Sequence, residues 1–167
     1  MSNLPSNFEE AIKNAKRLSN KILIDGKLIS PSTDNKIKVI NPSTGENIGE
    51  APQCDKNDVD HAVKSSLNAF KEWKKIPARE RGRLVELGAR NLEERKGEIE
   101  TLLSLDTGNA LRTQAKPETA ASIELTRMFA GLSGEIKGEN YPPNIANTLH
   151  FTTRDPIGVV CAIVPWN

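Results

Sequence analysis

The chain has 167 residues, which is long enough for one domain with a hydrophobic core. Charged residues make up 27% and hydrophobic residues 37%, and the net charge is +1, so nucleic acid is not an expected partner. The longest apolar run is too short to span a bilayer, and the N-terminus lacks the segments of a signal peptide. Two cysteines far apart in sequence do not suggest a disulfide framework. A cytoplasmic protein without a membrane partner is therefore expected.

The first third of the chain predicts a short helix followed by strands. A capping-box pattern, Ser-Asn-Phe-Glu, begins at Ser6 and indicates the start of a helix. Its apolar residues recur at helical spacing, namely Phe8, Ala11, Ile12, Ala15 and Leu18. Asp25 and Gly26 between two apolar segments predict a β-hairpin. Two further strands, at residues 36–40 and 47–51, are expected on either side of a turn rich in residues that break regular structure.

The middle of the chain predicts four helices. Asp55 is expected to cap the first of them, and Pro77 suits the first turn of the second. The third is expected to end at Gly108, a plausible C-cap, and Pro117 is expected to begin the fourth. A strand is then predicted over residues 149–155.

Residues 159–164 are six apolar residues in a row, four of them β-branched, and they follow a Pro and a Gly. Such a run predicts a strand that is buried on both faces, as in a parallel α/β sheet. Ligands of these sheets bind beyond the carboxyl ends of the strands, which is where residues 165–167 would lie. The alternative is a buried strand that merely ends in a turn.

Together the chain resembles the NAD(P)-dependent aldehyde dehydrogenases from about residue 22 to residue 167. Five short sequences in the family's order carry the resemblance, at residues 24–27, 39–46, 105–109, 155–159 and 165–167. One of them departs from the family, because Asn109 stands where a Lys is commoner.

The resemblance implies an α/β fold that corresponds to the N-terminal part of the aldehyde dehydrogenase fold. Residues 1–20 would be a helical extension, and residues 21–144 would be the first part of the cofactor-binding domain, with strands before helices. Residues 145–158 would form an extended oligomerisation arm. Residues 159–167 would be the first strand of a Rossmann-like dinucleotide-binding sheet, which is cut off.

The resemblance also implies the reaction and the cofactor. The family oxidises an aldehyde to a carboxylic acid through a thiohemiacetal, with NAD or NADP as cofactor. By the match, Asn167 donates an amide hydrogen bond to the oxyanion of that intermediate. Ile163, Val164, Pro165 and Trp166 would lie along the nicotinamide side of the cofactor.

A monovalent-cation site is implied at Asp106 and the backbone of Val39 and Ile40. The alternative for Asp106 is a solvated carboxylate at a helix end. His61 and His150 have no second ligand at metal spacing and are expected at the surface.

Neither cysteine is expected to be the family's nucleophile. Cys54 lies before a helix but next to Asp55, which opposes thiolate formation, and Cys161 lies within the predicted buried strand. In the family the nucleophilic Cys and the general-base Glu come after the sequence matched here, so the isolated chain is predicted to be inactive.

The complete enzyme is expected to take an aldehyde substrate and to form a homo-oligomer, a dimer or a tetramer. The alternative function is a non-catalytic interaction module. Such a module would pair with a full-length subunit through the arm at residues 145–155.

Overall fold

The computed structural model describes residues 6–164, with only the backbone of Ser6. The described part contains helices and short strands, as the mixed fold class predicted. Its five α-helices are α1 (Ser6–Leu18), α2 (Lys56–Trp73), α3 (Ala78–Glu94), α4 (Lys96–Thr107) and α5 (Lys116–Gly131). Its six strands are β1 (Ile22–Ile24), β2 (Lys27–Ile29), β3 (Lys36–Ile40), β4 (Asn47–Pro52), β5 (Asn140–Tyr141) and β6 (His150–Phe151). A π-helical turn (Leu111–Ala115) precedes α5, and a 3-10 turn (Leu132–Gly134) follows it.

The strands of the described residues form three antiparallel pairs, β1–β2, β3–β4 and β5–β6. The first pair is the hairpin that the sequence predicted. Its two turn residues, Asp25 and Gly26, both have positive φ angles, of 53° and 70°. Two consecutive left-handed residues give the turn whose twist matches a tight hairpin.

The turn between β3 and β4 is closed by hydrogen bonds around Asn41, which is only 4% exposed. Its side-chain oxygen accepts a hydrogen bond from the Ser43 N–H at 2.9 Å. Its backbone N–H donates to the Glu46 carbonyl at 2.9 Å, and its carbonyl accepts from the Gly45 N–H at 2.8 Å. This network satisfies the buried amide and gives the predicted turn one defined conformation.

Helix α2 begins at a capping box formed by Asp55 and Asp58, as the sequence predicted for Asp55. Asp55 accepts hydrogen bonds from the N–H groups of Asn57 and Asp58, at 2.7 Å and 3.1 Å. Ser32, between β2 and β3, donates its hydroxyl to Asp55 and its N–H to Asp58, both at 2.8 Å. The helix start is thereby tied to the N-terminal strands. The Ser32 hydroxyl, followed by the Asp58 N–H, holds the pKa of Asp55 below its ordinary value.

The main apolar core lies where α1, β4 and α4 meet. Ala11, Ile48 and Leu105 are buried there. Partly buried apolar residues surround them, namely Phe8, Ile12, Val39 and Leu102. The predicted first helix therefore packs its apolar face onto the strands and α4.

Helices α3 and α5 pack closely at Gly82. A Cβ built on Gly82 would lie 2.6 Å from the Ala130 carbonyl oxygen and would overlap the Ser133 side chain. The missing side chain therefore permits the close approach of the two helices. Arg127 of α5 forms an ion pair with Glu93 of α3 at the surface of this contact.

The strand predicted at residues 149–155 is much shorter, because only His150–Phe151 pairs with β5. Tyr141 is followed by Pro142 and Pro143, which lack the N–H groups that a longer ladder would need. On the other side, the Glu139 N–H donates to the Thr152 hydroxyl, and the regular pairing ends there. Every residue of this ribbon is exposed.

The buried strand predicted at residues 159–164 is wrong for the described chain. These residues form neither helix nor strand, and Val160 and Val164 are 71% and 77% exposed. A central strand needs neighbouring strands to pair with, and none of the three strand pairs in the described residues includes residues 159–164. The place of residues 159–167 in a dinucleotide-binding sheet therefore stays a prediction. None of the described helices has the length and apolar character to cross a membrane.

Candidate functional site

Two of the sequences that carry the resemblance lie in contact with each other. Gly108 ends α4 in the left-handed conformation, with φ of 76°, and its N–H donates to the Ser104 carbonyl at 3.0 Å. It is the C-cap that the sequence predicted. A Cβ built on Gly108 would lie 2.8 Å from Pro42 Cγ, so the end of α4 sits directly against the turn after β3.

The contact between Pro42 and Gly108 itself was not predicted, although the cation site implied by the family resemblance had already paired Asp106 with Val39 and Ile40. The two turns are more than sixty positions apart, and local patterns say nothing about which distant turns meet. A usable signal existed at Asn41, since an Asn followed by Pro in a turn between strands often binds its own backbone. Asn41 is 4% exposed, and the next residue, Pro42, is the one that contacts Gly108.

The predicted cation ligands Val39 and Asp106 both line one open cavity of about 480 Å³. The cavity lies between α1, the β3–β4 pair and α4, and Glu50 also lines it. Its other lining residues are mostly small or aliphatic: Ala15, Leu18, Ser19, Ile48, Gly49, Ala51, Ile99, Leu102 and Leu103. Ile40 is the last residue of β3 and is 43% exposed. Val39 of β3 and Asp106 of α4 therefore line the same cavity.

The charges at this cavity are few. Glu50 forms an ion pair with Lys36 at 3.2 Å, and Asp106 is exposed. Within residues 6–164 no group of three or more His, Cys, Asp or Glu side chains is placed to hold a metal ion. Because two of the predicted ligands are backbone groups, the cation site at Val39, Ile40 and Asp106 stays a prediction.

The predicted oxyanion donor Asn167 lies outside the described residues, as do Pro165 and Trp166. The two described members of the predicted cofactor set are exposed: Ile163 at 94% and Val164 at 77%. Neither has strand neighbours, and both side chains are purely apolar. The place of these residues along the nicotinamide side of the cofactor therefore stays a prediction.

A groove of about 640 Å³ separates the C-terminal half of α2 from residues 158–160. Phe70 and Trp73 line it from the helix, and Val159 and Val160 line it from the extended chain. The chain after β6 therefore returns along α2 before residue 164. The predicted cofactor residues, which begin at Ile163, are not among those that line the groove.

The two cysteines are free and exposed. Desolvation, followed by the negative charges of Asp58 and Asp55, raises the pKa of the Cys54 thiol above its ordinary value. A raised pKa lowers the thiolate fraction, which agrees with the prediction that Cys54 is not a nucleophile. The prediction that Cys161 is buried packing is wrong, because the strand around it does not form.

Both histidines are exposed, as predicted. His61 lies on α2, and His150 lies in β6, where its ring is 5.4 Å from that of Tyr141 across the ribbon. The tilted ring contact joins the two strands of the ribbon.

Comparisons with known proteins place this chain among larger proteins. A model of the aldehyde dehydrogenase family matches residues 29–167. An aldehyde dehydrogenase of Enchytraeus buchholzi is 34% identical over 161 residues, which cover 95% of this chain and 32% of the relative. The structure of an NADP-dependent enzyme of E. coli is similar with a TM-score of 0.85 and 26% identity, over 90% of this chain and 31% of that chain.

A second solved structure gives the same result. Betaine aldehyde dehydrogenase of Staphylococcus aureus, in complex with NAD+, has a TM-score of 0.79 and 26% identity, over 87% of this chain and 29% of that chain. This chain therefore spans about a third of the length of these relatives. The described arrangement of helices and strands recurs within the two solved structures.

Proposed function

The chain belongs to the aldehyde dehydrogenase family, and on that premise we propose that it is the N-terminal portion of an oxidoreductase that converts an aldehyde to a carboxylic acid. The observation that carries the proposal is the family match over residues 29–167. The contact of Pro42 with Gly108 supports it, because it joins two of the sequences on which the resemblance rests.

The proposed oxidant is NAD or NADP. Support comes from two similar structures, one of an NADP-dependent enzyme and one with NAD+ bound. The adenosine end of the cofactor, where NAD and NADP differ, would be bound by polypeptide beyond this portion. Ile163, Val164, Pro165 and Trp166 would lie along the nicotinamide side of the cofactor, and no reaction step is assigned to them.

Asn167 is the residue of this chain proposed to act on the reacting atoms. When a thiolate adds to an aldehyde carbonyl, negative charge develops on the oxygen. An amide N–H aimed at that oxygen stabilises the thiohemiacetal without changing its own charge. The attacking Cys and the general-base Glu would come from polypeptide that follows the matched portion, so the isolated chain would not turn over.

A chimaera tests this proposal. The matched segment of the E. coli enzyme is replaced by residues 1–167, and aldehyde-dependent reduction of NADP+ is measured for the chimaera and for the isolated chain. Turnover is expected only in the chimaera. A folded chimaera that binds NADP+ but never oxidises an aldehyde would contradict the proposal.

The role of Asn167 is tested in the same chimaera. Asn167→Ala should lower the single-turnover rate by about 10²–10³-fold, because one oxyanion donor is lost, and should leave cofactor affinity unchanged. Asn144→Ala is the matched control, since Asn144 is an exposed loop residue and the substitution is chemically identical. If Asn167→Ala keeps the rate and loses cofactor binding, Asn167 is a cofactor residue.

The cation site and the oligomer are proposed as parts of the complete enzyme. Asp106 with the backbone of Val39 and Ile40 would hold a monovalent cation, and the shared cavity supports this for Val39 and Asp106. The arm at residues 145–158 would join subunits into a dimer or a tetramer. Support for the arm comes from Ile145 and Leu149, which are 70% and 76% exposed.

The second candidate function is an interaction module without catalysis. The ribbon of β5 and β6 favours it, because its strands are exposed and open edges accept further strands. Phe151, at 56% exposure, lies in the strand that would pair. In a mixture with a full-length aldehyde dehydrogenase, this function predicts a mixed oligomer that Phe151→Pro abolishes.

A further inference from the structure

Helix α2 carries an apolar stripe that the described chain leaves largely uncovered. Val59, Val63, Leu67, Phe70 and Trp73 recur at intervals of three and four, so they lie on one side of the helix. Four of them are strongly exposed: Val59 at 55%, Val63 at 42%, Leu67 at 47% and Trp73 at 41%. The only residue of α2 that is buried is the capping Asp58. A stripe of this size on one helix is typical of a surface that another element covers.

The second part of this surface is the extended segment beside α2. Residues 158–160 run along the C-terminal half of the helix and form the other wall of the groove of about 640 Å³. Val160 is 71% exposed and Ile157 is 94% exposed. The stripe and this segment together form one apolar face, which we call the α2 face.

The comparisons supply a candidate partner for the α2 face. The arrangement described here recurs in the E. coli enzyme with a TM-score of 0.85, although it accounts for only 31% of that chain. More than two-thirds of that enzyme is therefore further polypeptide, outside the portion that this chain matches. Residues 158–160 lie along α2 on the other side of the groove. The polypeptide that follows these residues in the complete enzyme would therefore begin next to the α2 face.

We propose that the α2 face is the docking surface for the portion of an aldehyde dehydrogenase that follows the segment matched by this chain, and that it binds this portion even when the portion is a separate molecule. The inference rests on the proposed function, because the family assignment defines the partner. It adds a specific surface on this chain and a non-covalent association between two pieces of one fold.

The experiment measures binding, with the 167-residue chain and the remainder of the E. coli enzyme expressed together and, where soluble, mixed. The chain and the remainder are expected to form a one-to-one complex, detected by sedimentation and by co-purification through a tag on the chain. Leu67→Asp should weaken the complex by at least roughly 10-fold, because it places a carboxylate in the apolar contact.

Two controls separate docking from folding. Asn68→Asp introduces a carboxylate at the next residue, on the side of α2 that faces away from the apolar stripe. This variant should change the affinity for the remainder of the enzyme by less than about twofold. Leu67→Lys tests the same position with a stronger helix former and the opposite charge, and it should weaken the complex as Leu67→Asp does. Circular dichroism of each variant shows whether the helical content is kept.

Three results would overturn the inference. The first is no complex between the wild-type chain and the remainder. The second is a complex that tolerates both Leu67 substitutions but is lost with Phe151→Asp in the arm. The third is a homodimer of the chain that Leu67→Asp dissociates, which would make a second copy the occupant. A complex that forms on the α2 face without oxidising aldehydes would contradict the proposed function and leave this inference standing.

Discussion

Two regions of the molecule differ in how far they bury their apolar residues and pair their backbone N–H and C=O groups. Residues 6–134, which we call the packed region, contain the helices and the four N-terminal strands, with buried Ala11, Ile48 and Leu105. Residues 135–164, which we call the extended region, contain one short ribbon and are almost entirely exposed. Both regions are rich in apolar residues, so composition does not explain the difference.

The difference comes from where hydrogen-bond partners are found. A helix bonds each N–H to a carbonyl four residues earlier, so it forms with only one packed face. A strand takes its partners from another strand, and a central strand needs one on each side. The packed region offers no strand that could pair with residues 159–164, so these residues form no strand. Helix α2 needs no such partner and is fully helical although most of its apolar residues are exposed.

The largest effect is expected where α3 and α5 touch. Gly82→Val should destabilise the chain by about 3 kcal/mol, because the new side chain has no room between the Ala130 carbonyl and Ser133. Gly88→Val on the same helix should change stability by less than about 0.5 kcal/mol, since no atom lies within 4 Å of its built Cβ. Urea unfolding followed by circular dichroism measures both. Equal effects would mean that the helix contact does not hold the packed region together.

The next effect tests the contact between the two motif turns. Gly108→Ala should destabilise by about 2 kcal/mol, because it combines a left-handed backbone with a Cβ 2.8 Å from Pro42 Cγ. Gly45→Ala should lower the free energy of unfolding by about 1 kcal/mol. Gly45 is also left-handed, but no atom lies within 4 Å of a Cβ built on it. The difference between the two variants measures the contact. Identical losses would show that the turns do not press against each other.

A smaller effect concerns the start of α2 and depends on pH. The pKa of Asp55 is lowered in the folded chain, so its contribution is present above the unfolded value near 3.8 and is lost as the pH falls through the folded value. Asn is also a good N-cap, so Asp55→Asn removes the charge and keeps the cap. The variant should lose less stability than the wild type as the pH falls from 5 to about 2. Urea midpoints at each pH measure this.

Asp34→Asn is the control for this measurement, since Asp34 is exposed in the loop near Ser32. It should leave the pH dependence as it is in the wild type. If both variants flatten the profile equally, the hydrogen bonds at Asp55 are not its source.

The smallest effect is expected in the extended region. Ile163→Ser should change the unfolding free energy of the isolated chain by less than about 0.5 kcal/mol, because Ile163 is 94% exposed. Ile48→Val in the packed region removes a single methylene from a residue that is 4% exposed, and should lose about 0.5–1.5 kcal/mol. Thermal and urea unfolding compare the two. A loss at Ile163 as large as that at Ile48 would mean that residues 159–164 are packed in solution.

The local features of this protein follow from its sequence. Asp25 and Gly26 predicted the hairpin, Asp55 predicted the start of α2, and Gly108 predicted the end of α4. Each depends on hydrogen bonds or φ angles within a few residues, which short patterns encode directly. The family also followed from the sequence, because ordered motifs are themselves sequence features.

The tertiary structure decided the features that depend on distant partners. It set Gly108 against Pro42, and it gave Val39 and Asp106, which the family resemblance had already paired, a shared cavity. It also left residues 159–164 exposed although their sequence is that of a buried strand. The physical reason is the same in each case. The sequence specifies what a segment can bury or bond, and only the presence of the other surface determines whether it does.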